Sequence, residues 1–535
     1  MSESILEITD LSLSYVTGLR ARRRVVHGVS LTVPARSVVA LVGESGSGKS
    51  TLAHAIARLL PPAGRIDGGS IRLGGTDLTA LSESAMRAVR GKRIGFVPQD
   101  PMTSLNPTHR IGAQVGEAIS LHERCTPEER ETRVRALLQD AGFAPENLDR
   151  VLAAFPHELS GGMLQRVLIA LAFACGPELI VADEPTSALD VTVATRVLDH
   201  LQELVARNGC SLLIITHDLV LAARRADRVA VMTNGEIVEV GPREQVLDGP
   251  THPYTRALVA ARAPARVSAE VPADAAPVLE LHDLTKTFVA RGRGEFRAVD
   301  GLSLTVRAGA TYGLVGESGS GKSTTARLAL GLVDPTAGRV VLRGRDLADL
   351  SRGERRELRR HVQVVYQNPF RSLDPRMTVE RIVAEPLRAF GVGTRTEQRA
   401  VVRDLVDRVG LPSHLVRSRP HELSGGQRQR VAIARAIALS PELVVCDEPV
   451  SALDASVQRQ VLDLLVEIQR DLGVAYLFIS HDLAVVRHLA HTVGVMRGGR
   501  LVEAGLAEQV FGAPQHEYTR ELLAAGLGEG DRAVA

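Results

Sequence analysis

Leu41 to Thr51 reads LVGESGSGKST, and Leu314 to Thr324 reads LVGESGSGKST a second time. Within them, Gly43 to Ser50 and Gly316 to Ser323 each fit the pattern G-x-x-x-x-G-K-[ST]. A turn this rich in glycine lets the backbone wrap closely, so that its N–H groups face phosphate oxygens. The residues expected to form the two cradles are Gly43, Ser45, Gly46, Gly48 and Thr51, and Gly316, Ser318, Gly319, Gly321 and Thr324. Lys49 and Lys322 are expected to reach the β- and γ-phosphates of ATP, and Ser50 and Ser323 to ligate Mg²⁺. An apolar run (Ser37 to Val42) precedes the first loop and helical spacing (Leu52 to Leu60) follows it. The start of such a helix adds its positive dipole end.

The repetition extends over the whole chain. The two lysines are offset by 322 − 49 = 273 residues. PHELSGG occurs at Pro156 to Gly162 and at Pro420 to Gly426, Asp183-Glu184-Pro185 recurs as Asp447-Glu448-Pro449, and Thr216-His217-Asp218 answers to Ser480-His481-Asp482, all at an offset of 264. His252 to Arg256 matches His516 to Arg520 at the same 264. Kept order and a drift of only nine residues (273 − 264) mark a tandem duplication of one domain. The expected division is residues 1–261, a linker over 262–277, a second domain over 278–525 and a tail over 526–535. The linker, RAPARVSAEVPADAAP, is rich in Ala and Pro and has no apolar periodicity.

Each copy alternates short apolar runs with helical patterns. In the first, Leu179 to Ala182 and Ser211 to Thr216 read as buried strands, with a helix over Val193 to Ala206 between them. That alternation implies an α/β fold with a parallel sheet and crossover helices. Ile111 to Leu152 and Val379 to Val416 are more helical throughout, which points to a helical subdomain inserted in each copy. Two of the strands end in paired acids, Asp183-Glu184 and Asp447-Glu448. Beside a phosphate loop, Asp183 and Asp447 are expected to hold Mg²⁺, and Glu184 and Glu448 to act as general bases on the attacking water.

Bulk composition excludes several classes. The chain has 535 residues, 44% hydrophobic and 24% charged, with 64 basic against 62 acidic groups. A net charge of +2 gives no reason to expect bulk nucleic-acid binding. Met1 to Asp10 lacks the basic and apolar regions of a signal peptide. The longest apolar run, Val167 to Cys175, is far short of the roughly 20 residues a spanning helix needs. Any channel is therefore expected from other subunits. The four cysteines form no C-x-x-C pair and read as reduced, packed thiols. Only four lysines occur, and two of them lie in the glycine-rich loops, where a compact cationic tip serves better than arginine's planar fork.

One further pair of segments carries a family resemblance. Leu159-Ser160-Gly161-Gly162-Met163 and Leu423-Ser424-Gly425-Gly426-Gln427 resemble LSGGQ, the signature of the ATP-binding cassette (ABC) proteins. The resemblance covers nearly the whole chain and implies two tandem P-loop ATPase domains packed head to tail. One composite site would then join Lys49, Gln99, Asp183, Glu184 and His217 to Ser424 to Gln427. The other would join Lys322, Gln367, Asp447, Glu448 and His481 to Ser160 to Met163. It also implies that Gln99 and Gln367 touch Mg²⁺ and the attacking water, that His217 and His481 contact the γ-phosphate, and that Tyr15 and Phe288 stack on adenine. Ser187 to Asp190 and Ser451 to Asp454 match the loop that crosses the cassette interface. Met163 departs from the signature glutamine, which makes an asymmetric pair of sites conceivable; both are expected to hydrolyse ATP.

Asp100 to Pro107, Asn368 to Pro375 and the end motifs Thr251 to Arg256 and Gln515 to Arg520 look like the oligopeptide, dipeptide and nickel importer group. That resemblance implies an ATPase at the cytoplasmic face of the membrane, working with two transmembrane permease subunits and an extracytoplasmic solute-binding protein. Some members of the group carry an iron–sulfur cluster on cysteines after the end motif. None follows Tyr254 within the first copy or Tyr518 in the second, so no cluster is expected. The alternative is a soluble member of the family acting on ribosomes or nucleic acid. Its usual long charged linker or zinc cysteines are not found here.

Overall fold

Leu179–Asp183 is a strand buried at every position, which is what a short run of Leu, Ile, Val and Ala becomes when both faces of its sheet are covered. In the computed structural model it lies in a six-stranded sheet whose order is Glu236–Pro242, Arg228–Thr233, Val38–Val42, Ser211–Thr216, Leu179–Asp183 and Ile94–Val97. All neighbours are parallel except the first two strands. The second copy repeats the order with Arg500–Leu506, Thr492–Arg497, Thr311–Gly316, Ala475–Ile479, Leu443–Asp447 and Val362–Val365. Each copy also has a four-stranded antiparallel sheet, built on Ser4–Thr17 in the first and Pro277–Ala290 in the second. The structure describes the chain except residues 1–3, 18–20, 45, 187–188, 190, 217–218, 261–274, 291–293, 452, 454 and 527–535. It divides into two compact units, Met1–Arg262 and Ala263–Ala535.

The crossover helix expected between the two strands runs over Val191–Asn208. Val197, Leu198, Leu201, Leu204 and Val205 bury one stripe of it, the spacing of an amphipathic helix laid on a sheet. The inserted helical subdomain comprises Ile111–Ser120, Pro127–Asp140 and Leu148–Ala153. Thr126 and Glu129 close a reciprocal capping box at the start of its long helix, and Thr394 and Glu397 do the same in the second copy. Ile111, Val115 and Leu138 share one core with Val167 of the helix Gly161–Phe173 and Ile180 of the sheet, so the subdomain is packed onto the sheet. Most of the linker lies outside the described residues; the second copy's first strand begins at Pro277, and its last helix is Glu517–Gly526.

One element is shorter than its pattern. The helix after the first glycine loop spans Lys49–Ile56 and does not run to Leu60. Arg58 adopts φ 51°, which ends the helix, and its guanidinium donates to the Leu78 carbonyl at 3.2 Å. Among the described residues no helix is long and apolar enough to cross a membrane.

Candidate functional site

Each glycine loop leaves the end of a central parallel strand, Val38–Val42 or Thr311–Gly316, and opens a helix at its lysine. Gly48 and Gly321 cap these helices at φ 102° and 107°, where a side chain is strained. A Cβ on Gly43 would lie 2.0 Å from the Met232 carbonyl oxygen, and one on Gly316 2.2 Å from that of Met496. The loop's first glycine is therefore required by its neighbouring strand as well as by a ligand. Lys49 and Lys322 are about 95% buried. Lys49 Nζ donates to the Gly43 and Glu44 carbonyls at 2.7 Å each, and Lys322 Nζ to those of Gly316 and Glu317 at the same distances. Buried Ser47 Oγ has no hydrogen-bond partner among the described residues. A buried cation, an orphaned hydroxyl and a helix N-terminus facing one turn suit an anion with several oxygens. Ser45 lies outside the described residues; Ser318 and Gly319 lie in the turn before the helix Lys322–Ala329, and Thr324 lies in that helix.

The acid pairs close on the same loops. Ser50 Oγ donates to Asp183 Oδ1 at 3.0 Å, and Ser323 Oγ to Asp447 Oδ1 at 3.1 Å. Burial pushes both aspartate pKa values up, against the pull of the serine hydroxyls. A hydroxyl and a partly desolvated carboxylate in contact are hard oxygen donors of the kind a small divalent cation takes. Glu184 and Glu448 follow directly and stand at φ 45° and 50°, although each N–H still bonds across the sheet, to the Ile215 and Ile479 carbonyls at 2.9 Å. Gln99 Nε2 donates to Glu184 Oε2 at 2.9 Å, and Gln367 Nε2 to Glu448 Oε2 at 2.7 Å. Lysine, serine, aspartate, glutamate and glutamine thus meet in each copy.

His481 joins this group, with Nδ1 3.2 Å from Glu448 Oε2. Burial alone would lower the imidazole pKa, but the hydrogen bond and charge of Glu448 outweigh it and hold it above its ordinary 6.5. Burial likewise pushes Glu448 up, and His481 outweighs that and holds the carboxyl below 4.5. The histidine contribution to stability is complete below pH 6.5 and is lost as pH rises through the raised value. The glutamate contribution is present above pH 4.5 and is lost as pH falls through the lowered value. Between those limits the pair is charged and closed. Substituting Glu448→Gln is expected to move the His481 titration to lower pH, followed by its imidazole NMR signal in nucleotide-free protein. An unmoved titration would show that the two groups are not paired. His217, its counterpart, lies outside the described residues.

The signature segments cap the helices Gly161–Phe173 and Gly425–Ile437. Ser160 Oγ accepts the Met163 N–H at 3.4 Å, and Ser424 Oγ accepts that of Gln427 at 3.3 Å. Gln427 Oε1 also accepts the Ser424 N–H at 2.9 Å, a return bond that Met163 cannot make. A Cβ on Gly162 or Gly426 would meet Val193 Cγ1 at 2.5 Å or Val457 Cγ1 at 2.3 Å, so the second glycine is needed where two helices cross. Gly161 and Gly425 begin their helices without such a clash. Tyr15 Oη lies 3.3 Å from Thr51 Oγ1, next to the first glycine loop. Phe288 is 36% exposed and stacks on Phe296 at 5.8 Å between centroids. Of the interface loops, residues 187, 188, 190, 452 and 454 lie outside the described residues.

The sequence model of the ABC transporter family matches residues 26–187 and again 299–451. The chain belongs to the ABC transporter family. A second model, the oligopeptide/dipeptide transporter C-terminal region, matches residues 238–291. Similar proteins include the peptidoglycan transport ATP-binding protein YejF of Agrobacterium fabrum, 46% identical with 98% of this chain and 97% of that protein covered. The glutathione import ATP-binding protein GsiA of Escherichia coli O157:H7 is 42% identical, covering 98% and 89%. The oligopeptide transport ATP-binding protein OppD of Mycobacterium tuberculosis is 42% identical, covering 97% and 98%. As an ABC ATPase, the chain binds and hydrolyses ATP. The ABC architecture also brings in two residues with no site role in the sequence reading, Tyr254 and Tyr518. Their hydroxyls accept hydrogen bonds from the glycine loops, at Glu44 N and Glu317 N. The available signal was a tyrosine kept in both end motifs while the residue before it changes from Pro253 to Glu517.

Proposed function

We propose that the chain is the ATP-hydrolysing subunit of a membrane importer for peptides or peptide-bearing small solutes, seated at the cytoplasmic face. The match of residues 238–291 to the oligopeptide/dipeptide transporter C-terminal region carries this reading. The relatives support it over the soluble alternative, because they are named as transport or import ATP-binding proteins. Those names give peptidoglycan, glutathione and oligopeptide at 46%, 42% and 42% identity. The named cargo varies among ATPases of one family, and its choice falls to partners: two transmembrane permeases and an extracytoplasmic binding protein. A surface suited to such a partner lies beside the glutamines. Met102 and Phe370 each stand three residues after Gln99 and Gln367, and they are 56% and 51% exposed. Their exposure at the same position of each copy supports that placement.

In each copy Lys49 or Lys322 leaves its loop carbonyls for the β- and γ-phosphates, and the loop N–H groups receive the remaining oxygens. Ser50, Asp183 and Gln99, or Ser323, Asp447 and Gln367, would hold Mg²⁺, which would supply neutralisation of phosphate charge. Glu184 and Glu448 accept the proton of the attacking water. His217 and His481 donate to the γ-phosphate, and His481 Nδ1 keeps its contact with Glu448. Tyr15 and Phe288 cover the adenine, and Ser160, Gly161, Gly162, Ser424, Gly425, Gly426 and Gln427 present helix N-termini to phosphate. Co-expression with neighbouring permease and binding-protein genes tests the transport reading. ATP turnover of the purified complex is expected to rise with one peptide-class solute. If no permease co-purifies under any condition, the importer reading falls while the ATPase stands.

A further inference from the structure

A single hydroxyl at the far end of each copy reaches its phosphate loop. The Glu44 N–H donates to Tyr254 Oη at 3.2 Å across 210 residues, and the Glu317 N–H to Tyr518 Oη at 3.2 Å across 201. The intervening chain differs by nine residues, and the contact is the same. An identical device aims both tyrosines. Glu239, on the last strand of the first sheet, accepts the Thr251 and His252 N–H groups at 2.8 and 3.1 Å. Glu503 accepts those of Gln515 and His516 at 2.8 and 3.0 Å. Burial pushes Glu239 up, but these donors outweigh it and hold its carboxyl at about 2, so it stays an acceptor at any physiological pH. His252 Nδ1 then accepts the Tyr254 N–H at 3.2 Å, and His516 Nδ1 that of Tyr518 at 3.1 Å.

At the loop, the residue whose N–H is held is also the one whose carbonyl holds the lysine. Glu44 O accepts Lys49 Nζ at 2.7 Å and the Ser47 N–H at 3.2 Å. Glu317 O accepts Lys322 Nζ at 2.7 Å and the Ser320 N–H at 3.2 Å. The peptide unit before this residue is therefore held by both the tyrosine and the lysine, and the unit after it by the lysine. When the lysine turns to phosphate, the tyrosine bond and the serine N–H bond are those that stay. The two posts differ in firmness. Tyr518 is 2% exposed and lies under the Arg497 guanidinium, 4.6 Å from its ring centroid. Tyr254 is only half-buried, and Thr233 stands at the position matching Arg497 (497 − 264).

We propose that Tyr254 and Tyr518 are positioning residues for nucleotide binding: their hydroxyls keep the phosphate loop open, so the C-terminal extension sets the ATP affinity of its own cassette. This rests on the ATPase reading. A loop held in its binding form loses less freedom when ATP arrives, and affinity scales with the fraction of loops so held. The test uses the full chain with Tyr254→Phe and Tyr518→Phe together, which removes two oxygens and leaves the rings. ATP affinity by calorimetry is expected to fall about two- to tenfold, the equivalent of one ordinary hydrogen bond per site. KM for ATP rises to match, while kcat at saturating ATP and the thermal midpoint stay with the wild type. Tyr518→Phe alone is expected to give the larger share. Unchanged affinity in the double variant overturns the proposal, and so does a loss of kcat at constant KM. A fall in affinity that merely tracks a lowered thermal midpoint also overturns it, since that is a structural role. If the wild type itself binds no ATP, the ATPase reading fails instead.

Discussion

The doubly substituted chain Glu184→Gln/Glu448→Gln is expected to bind ATP as the wild type does and to turn it over about a hundred to ten thousand times more slowly. Glutamine keeps the length and planarity of glutamate and can still accept from Gln99 and Gln367, which donate to the glutamates at 2.9 and 2.7 Å. It has no basic oxygen for the proton of water. Geometry survives and the chemistry does not. Single substitutions then compare the copies. Both copies have the serine–aspartate contact and the glutamine–glutamate bond within 0.2 Å of each other (3.0 against 3.1, 2.9 against 2.7). Each single variant is therefore expected to lose a large part of steady-state turnover. If Glu184→Gln left turnover untouched while Glu448→Gln abolished it, equality of the two sites would be wrong.

Gly43→Ala and Gly316→Ala are expected to remove ATP binding from their own copies and to destabilise them by about 1–3 kcal/mol, the usual range for forced overpacking. The obstacle is a backbone oxygen. The added carbon would stand 2.0 Å from Met232 O or 2.2 Å from Met496 O, and neither can swing aside as a side chain could. Relief comes only by parting the loop strand from its neighbour, which pairs Val42 with Val231 in one copy and Gly316 with Met496 in the other. Calorimetric unfolding and ATP titration read the two effects together. A variant with wild-type unfolding and wild-type affinity would refute this account of the loop.

Legibility in the sequence follows the range of the contacts. The glycine loops, the acid-ended strands and the helical inserts are contiguous patterns, and the parallel sheets contain them where the alternation of runs placed them. The helix predicted to reach Leu60 stops at Ile56, because Arg58 turns left-handed and donates to Leu78, a partner 20 residues away. Motif order alone did not reveal that Ser50 touches Asp183, or that Gln99 touches Glu184, since those contacts span 133 and 85 residues. Gly162 and Gly426 belong to the signature segments by motif, and their packing role at the crossing with Val193 and Val457 depends on helix packing. The tyrosine posts were out of reach for the same cause: only the fold brings residues 44 and 254 together.

Glu184 and Glu448 stand in left-handed backbone, at φ 45° and 50°. Glycine would occupy either place at lower conformational cost, and strain of this sort runs to about 1–3 kcal/mol per residue. Selection for a stable chain and selection for a working chain therefore pull in opposite directions at these two positions. A drift toward glycine would make each half sturdier and inert, so the acid persists there only for as long as hydrolysis is needed.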